Sequence, residues 1–474
     1  MMTPDLCVVG AGASGLAVAE AARRLGASVV VVERGEPGGM SLKAGALALR
    51  ALSAAAEKAA AARIGAPFGV EADPPGVSFR KVHDHVAGVI GRGRSEGAPA
   101  ILAARGIELV KGTGAFTDPQ TLAVGDRQIK ARRFVIATGA RPVLPDIPGL
   151  LSVPYFTTET IFDNTRKLTH LVVLGAGPGG LELALAHRRL GCDVTVVEAG
   201  EMLPQADPEL GEIALRRLLD EGVTLLAGTE TVAIQARSQG IGVVVRNAVE
   251  SATLDASHIL VAPRRAPALD DLNLDAARIR RAKADAGALW LGPSLRTSNP
   301  RVWAVGEAAG HGSPHLSGHE AEVVVRAALL GVPSRYAPAA LPRLTLTDPP
   351  LAEIGLTEKA AQARLRNRFT VLRASYAEND FARASRDGMG VVKLIVSPAG
   401  AILGAGVVGA GAAELLALFA LAIAEKIPLA RLADLPVVYP SHAELVRHLG
   451  KLAGEDKSPP ALHARLFSLR RLLP

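Results

Sequence analysis

Cysteine is scarce in this chain. Only Cys7 and Cys192 occur among its 474 residues, and neither has the Cys-x-x-Cys partner of a redox or metal motif. This scarcity excludes a disulfide framework, and no metal site is predicted. We expect both thiols to behave as small buried hydrophobic side chains.

Aromatic residues and long apolar runs are also scarce. Aromatics make up 3% of the chain, and no apolar run reaches the ~18 residues that a membrane span requires. The N-terminus has neither the basic flank nor the cleavage site of a signal peptide, so we expect a cytoplasmic protein. The net charge of +7 comes from scattered arginines without a recognisable binding motif. A nucleic-acid partner is therefore not expected.

A strand, turn, helix and second strand occupy residues 5–33. An apolar strand leads into Gly10-x-Gly12-x-x-Gly15 and an alanine-rich helix, and the second strand ends at Glu33. The glycines permit a tight turn that brings the backbone close to a pyrophosphate at the helix N-terminus. An acidic residue about 20 positions further on can accept hydrogen bonds from ribose hydroxyls. This unit predicts a dinucleotide site.

The same unit recurs at residues 171–198, with Gly175-x-Gly177-x-x-Gly180 and a second strand that ends at Glu198. Two complete copies imply two bound nucleotides, usually one flavin and one nicotinamide; the alternative is that one copy is a vestigial fold element. The Glu198 carboxylate would repel a 2′-phosphate, and no arginine follows it closely. NADH is therefore favoured over NADPH.

Further motifs point to one family. Residues 38–46, Gly-Gly-Met-Ser-Leu-Lys-Ala-Gly-Ala, resemble the Gly-Gly-Thr-Cys-x4-Cys stretch of the flavoprotein disulfide reductases, such as dihydrolipoamide dehydrogenase, glutathione reductase and mercuric reductase. The Ala-Thr-Gly turn at 137–139 and the stretch 296–307 resemble the flavin motifs of that family. Residues 346–358 resemble the opening of its dimerisation domain. The match runs in order over about residues 3–450.

The resemblance implies an α/β fold with two Rossmann-like domains, which bind FAD and NAD(P), and a C-terminal α+β dimerisation domain. The FAD domain would comprise residues 1–150 and 276–340, with the NAD(P) domain at 151–275 and the dimerisation domain at 341–455. In the family, the dimerisation domain completes the active site of the partner subunit. A homodimer is therefore implied.

Cofactor contacts are also implied by the resemblance. Glu307 stands where the family normally has an aspartate that bonds the ribityl chain of the flavin. The residues assigned to FAD or NAD(H) binding are Gly10, Gly12, Gly15, Glu33, Arg50, Gly114, Thr138, Gly139, Gly306, Glu307, His315, Gly175, Gly177, Gly180, Glu198 and Val232.

The catalytic sulfurs and histidine of the family are missing. Ser41 and Ala46 stand in place of the redox cysteines, and Tyr439 replaces the histidine of a His-Pro-Thr-x-x-Glu motif whose Glu444 persists. A hydroxyl and a methyl group cannot cycle electrons through sulfur, which excludes disulfide exchange at this site. A phenol with a pKa near 10 is a poor base at neutral pH, but it can donate a proton. His442 is either a catalytic replacement or a packing or surface histidine.

The residues on the nicotinamide side of the flavin are better preserved. Arg50 falls where the family has a lysine beside flavin N5, and Glu182 falls at its carboxylate partner. Such a pair would keep a positive charge near N5 and stabilise the anion that forms when hydride arrives. Alternatively, Arg50 is a helix-surface arginine.

Residues 456–474 form a basic extension in which leucines follow helical spacing. We expect a helix that packs on the dimer or frays; a membrane-surface contact is the less favoured alternative.

These features predict an FAD-dependent NAD(P)H oxidoreductase. Hydride would pass from NADH to FAD and on to a small-molecule electron acceptor other than a disulfide: a quinone, a dye-like compound, a second nicotinamide or dioxygen. The alternative is a redox-inactive FAD- and NAD-binding sensor or complex subunit, because the joint loss of both cysteines and the histidine also fits a protein without turnover.

Overall fold

The computed structural model of the chain describes residues 1–40, 44–71, 73, 75–93, 98–285, 287–337, 341–454 and 461–471. Their contacts form two compact units. Unit 1 comprises Met1–Met202 and Glu221–Ala337, and unit 2 comprises Leu203–Asp220 and Pro338–Pro474.

Unit 1 is built from strands and helices that alternate along the chain. Its strands are β1 (Leu6–Val9), β2 (Val29–Glu33), β3 (Ile107–Lys111), β4 (Gly114–Asp118), β5 (Thr121–Val124), β6 (Arg127–Ile129), β7 (Arg133–Ile136), β8 (Ala140–Val143), β9 (Phe156–Thr157), β10 (His170–Leu174), β11 (Asp193–Val197), β12 (Thr224–Leu226), β13 (Glu230–Ala236), β14 (Ile241–Arg246), β15 (Ser251–Ala256), β16 (His258–Val261), β17 (Arg264–Pro267) and β18 (Val302–Ala304). Its helices are α1 (Ala13–Arg24), α2 (Ala46–Ala61), α3 (Phe79–Gly93), α4 (Pro99–Ala104), α5 (Pro178–Arg189) and α7 (Ser317–Ala328).

Two parallel sheets of five strands organise unit 1, in the orders β18–β7–β1–β2–β3 and β12–β11–β10–β16–β9. Strand β1 and residues 171–174 of β10 are apolar and buried on both faces, as parallel strands covered by helices must be. Helix α1 packs against α7, and α2 packs against α3 and α5. The turns that follow β1 and β10 therefore lie at the carboxyl edges of the two sheets.

Smaller sheets complete unit 1. Strands β4, β5 and β6 form one antiparallel meander, and β13, β14 and β15 form another. Strand β17 pairs antiparallel with β8 and so joins the end of the second nucleotide fold to the first.

Unit 2 contains an antiparallel sheet in the order β19–β20–β23–β22–β21. Its elements are α6 (Pro208–Asp220), β19 (Arg343–Thr345), β20 (Leu351–Gly355), α8 (Glu358–Leu365), β21 (Thr370–Ser375), α9 (Asp380–Ala384), β22 (Val391–Val396), β23 (Ile402–Val408), α10 (Ala412–Ala424), α11 (Glu444–Leu452) and α12 (Ala461–Arg470).

The sheet of unit 2 is buried on both faces. Alternate residues such as Val392 and Leu394 pack against Phe419 of α10, whereas Val391 packs against Leu210 of α6 on the other face. Sequence order places residues 203–220 inside the second nucleotide fold, but their contacts place them with unit 2. The apolar face of α6 causes this assignment, because it covers the sheet.

The C-terminal extension contains helix α12, whose Leu466, Phe467 and Leu469 are exposed. Leu473, one of the leucines that follow helical spacing in the sequence, lies outside the described residues. Within the described part of the chain, no helix is long and apolar enough to cross a membrane.

A buried lysine joins α6 to the sheet of unit 2. The Lys393 side chain is 5% exposed, and its Nζ lies 2.7 Å from Asp207, 2.8 Å from Glu209 and 2.8 Å from Glu358. Hydrogen bonds from Arg373 and then Lys393 lower the pKa of Glu209 to about 2. The stabilisation from Glu209 is therefore fully present above the ordinary carboxyl pKa and is lost as the pH falls toward about 2.

We predict that Lys393→Met destabilises unit 2 by about 3–5 kcal/mol, because it leaves the buried carboxylate of Asp207 and the partly exposed carboxylates of Glu209 and Glu358 without their cation. Thermal and urea unfolding would measure the loss. Lys359→Met is the matched control, since Lys359 is exposed on α8. Equal unfolding midpoints for the two variants would contradict a stabilising role for Lys393.

Candidate functional site

Two glycine turns in unit 1 have the same geometry. Gly10 follows β1 with φ +111°, and Gly175 follows β10 with φ +109°. A Cβ on Gly10 would lie 2.2 Å from the carbonyl oxygen of Ala137, and one on Gly175 would lie 2.8 Å from that of Ala262. Only glycine permits this approach, which seats each turn against the neighbouring strand end.

The remaining glycines of the two motifs have two different structural roles. A Cβ on Gly15 or Gly180 would strike the carbonyl oxygen of the first glycine, at 2.0 Å and 2.3 Å respectively, so these positions pack the helix onto the turn. A Cβ on Gly12 or Gly177 would meet nothing within 4 Å in the described part of the chain. These two glycines therefore keep the helix N-termini of α1 and α5 open toward a ligand.

The acids that end the second strands are held by the same turns. Glu33 Oε2 accepts a hydrogen bond from the Ala11 amide at 2.7 Å, and Glu198 Oε2 accepts one from the Ala176 amide at 2.9 Å. The other oxygen of each carboxylate accepts a bond from the amide two residues downstream. Both acids are thus fixed beside the turn, where ribose hydroxyls would bind.

A solvent-open cavity lies at the first turn. Gly10 and Glu33 line it together with Gly114 and Thr138, which brings four of the predicted residues to one place. The Thr138 Oγ1 atom is buried without a hydrogen-bond partner among the described residues. A buried hydroxyl in this state indicates a polar group that the bound ligand supplies.

Glu307 lies on the turn after β18, next to Gly139, and both its oxygens bond Arg265. Arg265 Nε donates to Oε1 at 2.5 Å and Nη2 to Oε2 at 3.3 Å. The preceding Gly306 has φ +64°, and a Cβ there would lie 2.6 Å from Ser14 Oγ. The two predicted flavin turns, at 138–139 and 306–307, therefore meet at one edge of the first sheet.

Several contacts at this edge were not predicted from the sequence. Buried Glu320 accepts a hydrogen bond from the Gly306 amide at 2.7 Å and lies 2.8 Å from His311 Nδ1. Its signal was an acid at a buried position of an otherwise apolar helix face in α7. The partners of Arg265, Glu307 and Glu159, could not be predicted from the sequence, because they lie 42 and 106 residues away from it.

The predicted charge pair beside the flavin involves α2 and α5, which pack against each other. Glu182 is 6% exposed on α5. Arg50 lies on α2, where its guanidinium bonds both oxygens of Glu57. The Arg50–Glu182 pair stays a prediction. Ala46 begins α2, and Ser41 lies outside the described residues.

Two other predicted cofactor residues lie at the margins of unit 1. His315 is exposed in the short segment Pro314–Leu316. Val232 is half-buried in β13, at the bulge where the pairing with β14 shifts register. Their contacts with cofactors stay predictions.

The predicted catalytic residues of unit 2 are differently arranged from the family's His–Glu pair. Tyr439 is 68% exposed and donates a hydrogen bond to Asp380 at 3.2 Å, which raises the pKa of the phenol. Glu444 accepts a bond from the Ser441 amide at 3.5 Å instead. The His442 ring packs between Tyr376 and Phe381, and burial lowers its pKa.

Both cysteines are fully buried and free. Burial raises the pKa of Cys7 well above its usual value and that of Cys192 to about 11. They therefore stay protonated and unreactive at neutral pH.

Family models match most of the chain. One described as "Pyridine nucleotide-disulphide oxidoreductase" covers residues 4–328, and its dimerisation domain covers residues 341–449. The chain belongs to the pyridine nucleotide-disulphide oxidoreductase family. It is an FAD-dependent pyridine nucleotide oxidoreductase with FAD and NAD(P)H as cofactors, which confirms the predicted family, fold class and cofactor types. The dimerisation domain supports a homodimer.

Similar proteins include curated reductases and a solved structure. A mercuric reductase from Streptomyces lividans is 31% identical, with 94% of each chain covered. A dihydrolipoyl dehydrogenase from Geobacillus stearothermophilus is 31% identical over 88% of this chain and 89% of its own. The flavoprotein disulfide reductase RclA from Escherichia coli has a TM-score of 0.82 at 24% identity, covering 94% of this chain and 99% of its own. The last likeness supports the fold alone.

The residues present fit the two nucleotides. The open Gly12 turn and the unpartnered Thr138 hydroxyl suit a dinucleotide that enters at the first sheet. The turn after β10 has the same open geometry as the turn after β1, but no predicted flavin motif adjoins it. Within the described residues, no group of three or more His, Cys, Asp or Glu side chains could hold a metal ion.

We predict that Gly12→Ala and Gly177→Ala separate the two sites. Each methyl group fits the folded protein but obstructs a pyrophosphate, so Gly12→Ala should weaken FAD binding and Gly177→Ala should weaken NAD(P)H binding. We expect at least about tenfold in each Kd, which is about 1.4 kcal/mol. FAD content and NAD(P)H titration measure the two effects, and each variant is the control for the other. A fall in Tm of both variants without a binding defect would contradict the open-turn interpretation.

Proposed function

We propose that this protein passes hydride from NADH to FAD and on to a small acceptor that is not a disulfide. The observation that carries the proposal is the absence of a reactive cysteine pair. Residues 38–46 contain no cysteine, and the only two thiols of the chain, Cys7 and Cys192, are buried with raised pKa values. Neither thiol can form the nucleophilic thiolate that disulfide exchange requires.

Bound FAD would supply the hydride-accepting chemistry, and the protein would supply position and charge. Arg50 and Glu182 are proposed to hold a cation near flavin N5, where it favours negative charge on the ring. Support comes from the contact between their helices α2 and α5 and from the burial of Glu182.

On the acceptor side, Tyr439 is proposed to act as a hydrogen-bond or proton donor. Its bond to Asp380 raises the phenol pKa and keeps the proton on the oxygen, so Tyr439 is unsuited to the base role of a histidine. Glu444 would then orient the turn through the Ser441 amide and leave the phenol to Asp380. A donor at this position suits a carbonyl acceptor such as a quinone better than a thiol.

A binding protein without turnover is the second candidate. The contacts of Tyr439 favour this candidate. Its phenol bonds Asp380, whereas Glu444 bonds the Ser441 amide, so these two residues do not form an acid/base pair. The contact between α2, which carries Arg50, and α5, which carries the buried Glu182, favours the enzyme, because it brings the proposed cation and carboxylate to neighbouring elements.

An anaerobic titration of the yellow protein with NADH distinguishes the two candidates. We predict that one equivalent bleaches the flavin absorbance and that quinones restore it under turnover. Lipoamide and glutathione disulfide should not be reduced above the rate without enzyme. Flavin that stays oxidised would favour the binding protein, whereas NADH-dependent disulfide reduction would refute the proposed acceptor class.

NADH preference depends on Glu198. We predict that Glu198→Gln raises KM for NADH by about tenfold, since the amide is a poorer acceptor for ribose hydroxyls, and narrows the discrimination against NADPH by removing a repelling charge. Steady-state kinetics with both nucleotides measure the effect. Glu201→Gln is a matched control on the same exposed loop. A preference of the unmodified protein for NADPH would show that the assignment is wrong.

A further inference from the structure

One arginine connects the two nucleotide folds of unit 1. Arg265 lies on β17, immediately after the last strand of the second fold, and its Nη1 bonds Glu159 at 2.5 Å. The same guanidinium bonds both oxygens of Glu307 and, through Nη2, the carbonyl oxygen of Ala140 at 3.0 Å. It therefore contacts three separate segments of the chain.

Arg265 neutralises two carboxylates that face it. Glu159 and Glu307 are 21% and 27% exposed in their side chains, and both face the same guanidinium. Without it, two carboxylates would lie close together and repel each other. Burial acts to lower the Arg265 pKa, but the hydrogen bonds that Arg265 donates to Glu307 and Glu159 outweigh it and raise that pKa. Arg265 stays charged at every working pH.

Glu307 has more freedom than the aspartate that the family has at this position. Its side chain contains one more methylene group and one more rotatable bond, so its carboxylate samples more positions unless it is held. Arg265 holds both oxygens, and only the planar guanidinium fork supplies two parallel donors of this kind. The Oε2 atom, at 3.3 Å from Nη2, keeps capacity to accept a further hydrogen bond.

We propose that Arg265 is the positioning residue of the FAD site: it fixes the carboxylate of Glu307 toward the flavin ribityl chain and thereby compensates for the longer side chain. The proposal rests on the FAD binding of the proposed function and on the assignment of Glu307 to the ribityl chain, which the family resemblance implies. Because Arg265 belongs to the second fold, the retention of FAD in the first fold depends on a side chain of the second.

Flavin release from the purified holoprotein tests the proposal. We expect Arg265→Met to speed FAD release by about tenfold or more, the loss typical of a charge-assisted hydrogen bond, and Arg265→Lys to have an intermediate effect because it keeps the charge but not the fork. Recovery of flavin fluorescence on dilution measures the release. Arg264→Met is the matched control, since Arg264 is exposed on the same strand.

A double variant supplies the decisive comparison. In the Arg265→Met background, Glu307→Asp should slow FAD release again, because the shorter side chain needs no clamp. In the unmodified background, the same substitution should speed release, because the shorter carboxylate cannot reach the arginine. A merely structural role of Arg265 would not reverse the sign of the Glu307→Asp effect. The effect of Glu307→Asp on the flavin midpoint potential should also reverse its sign between the two backgrounds.

Other outcomes would overturn the proposal. Release from Arg265→Met within twofold of Arg264→Met would remove Arg265 from the FAD site, as would a Glu307→Asp effect of the same sign in both backgrounds. If Glu307→Ala releases FAD at the unmodified rate, the ribityl assignment fails and the proposal fails with it. A negative acceptor screen with unchanged release results would refute the proposed function alone. If Arg265→Met does not fold, Arg265→Lys and Glu159→Gln decide the question, and unmodified release rates in both would refute it.

Discussion

The close approach of glycine backbones at the carboxyl edge of the first sheet is the constraint on which the rest of the site depends. Gly10 abuts the carbonyl oxygen of Ala137, Gly15 abuts that of Gly10, and Gly306 abuts the Ser14 side chain. These contacts leave no room for a Cβ, so three segments far apart in sequence converge. The cavity, the carboxylates and the helix N-terminus are all positioned by this convergence.

Once the backbone is fixed, fixed donors hold the acidic side chains. Glu33 and Glu198 are held by amides of their own turns, and Glu320 is held by the Gly306 amide. Glu307 is the exception, because its donor is a side chain of the other nucleotide fold. The position of a carboxylate held by backbone amides depends only on local folding. The position of the Glu307 carboxylate depends on how the two nucleotide folds pack within unit 1.

The sequence predicted the two nucleotide units well because their signals are local. Glycine spacing, valine-rich strands and a terminal acid all lie within about 30 residues of one another, which suffices to specify a βαβ unit. The predicted family and cofactor types were confirmed, and Gly114 and Thr138 lie together at one cavity. The site assignments of Arg50, His315 and Val232 rested on resemblance alone and stay predictions.

The sequence by itself determined the βαβ units and the loss of sulfur chemistry, since both follow from which residues occupy neighbouring positions. Only the tertiary structure decided that α6 packs with unit 2, that Lys393 is buried among three carboxylates, and that Arg265 joins Glu159 to Glu307. The reason is physical. A charged side chain takes its partner from whatever the fold brings within hydrogen-bond distance. Those partners lie between 35 residues away, for Lys393 and Glu358, and 186 residues away, for Lys393 and Asp207.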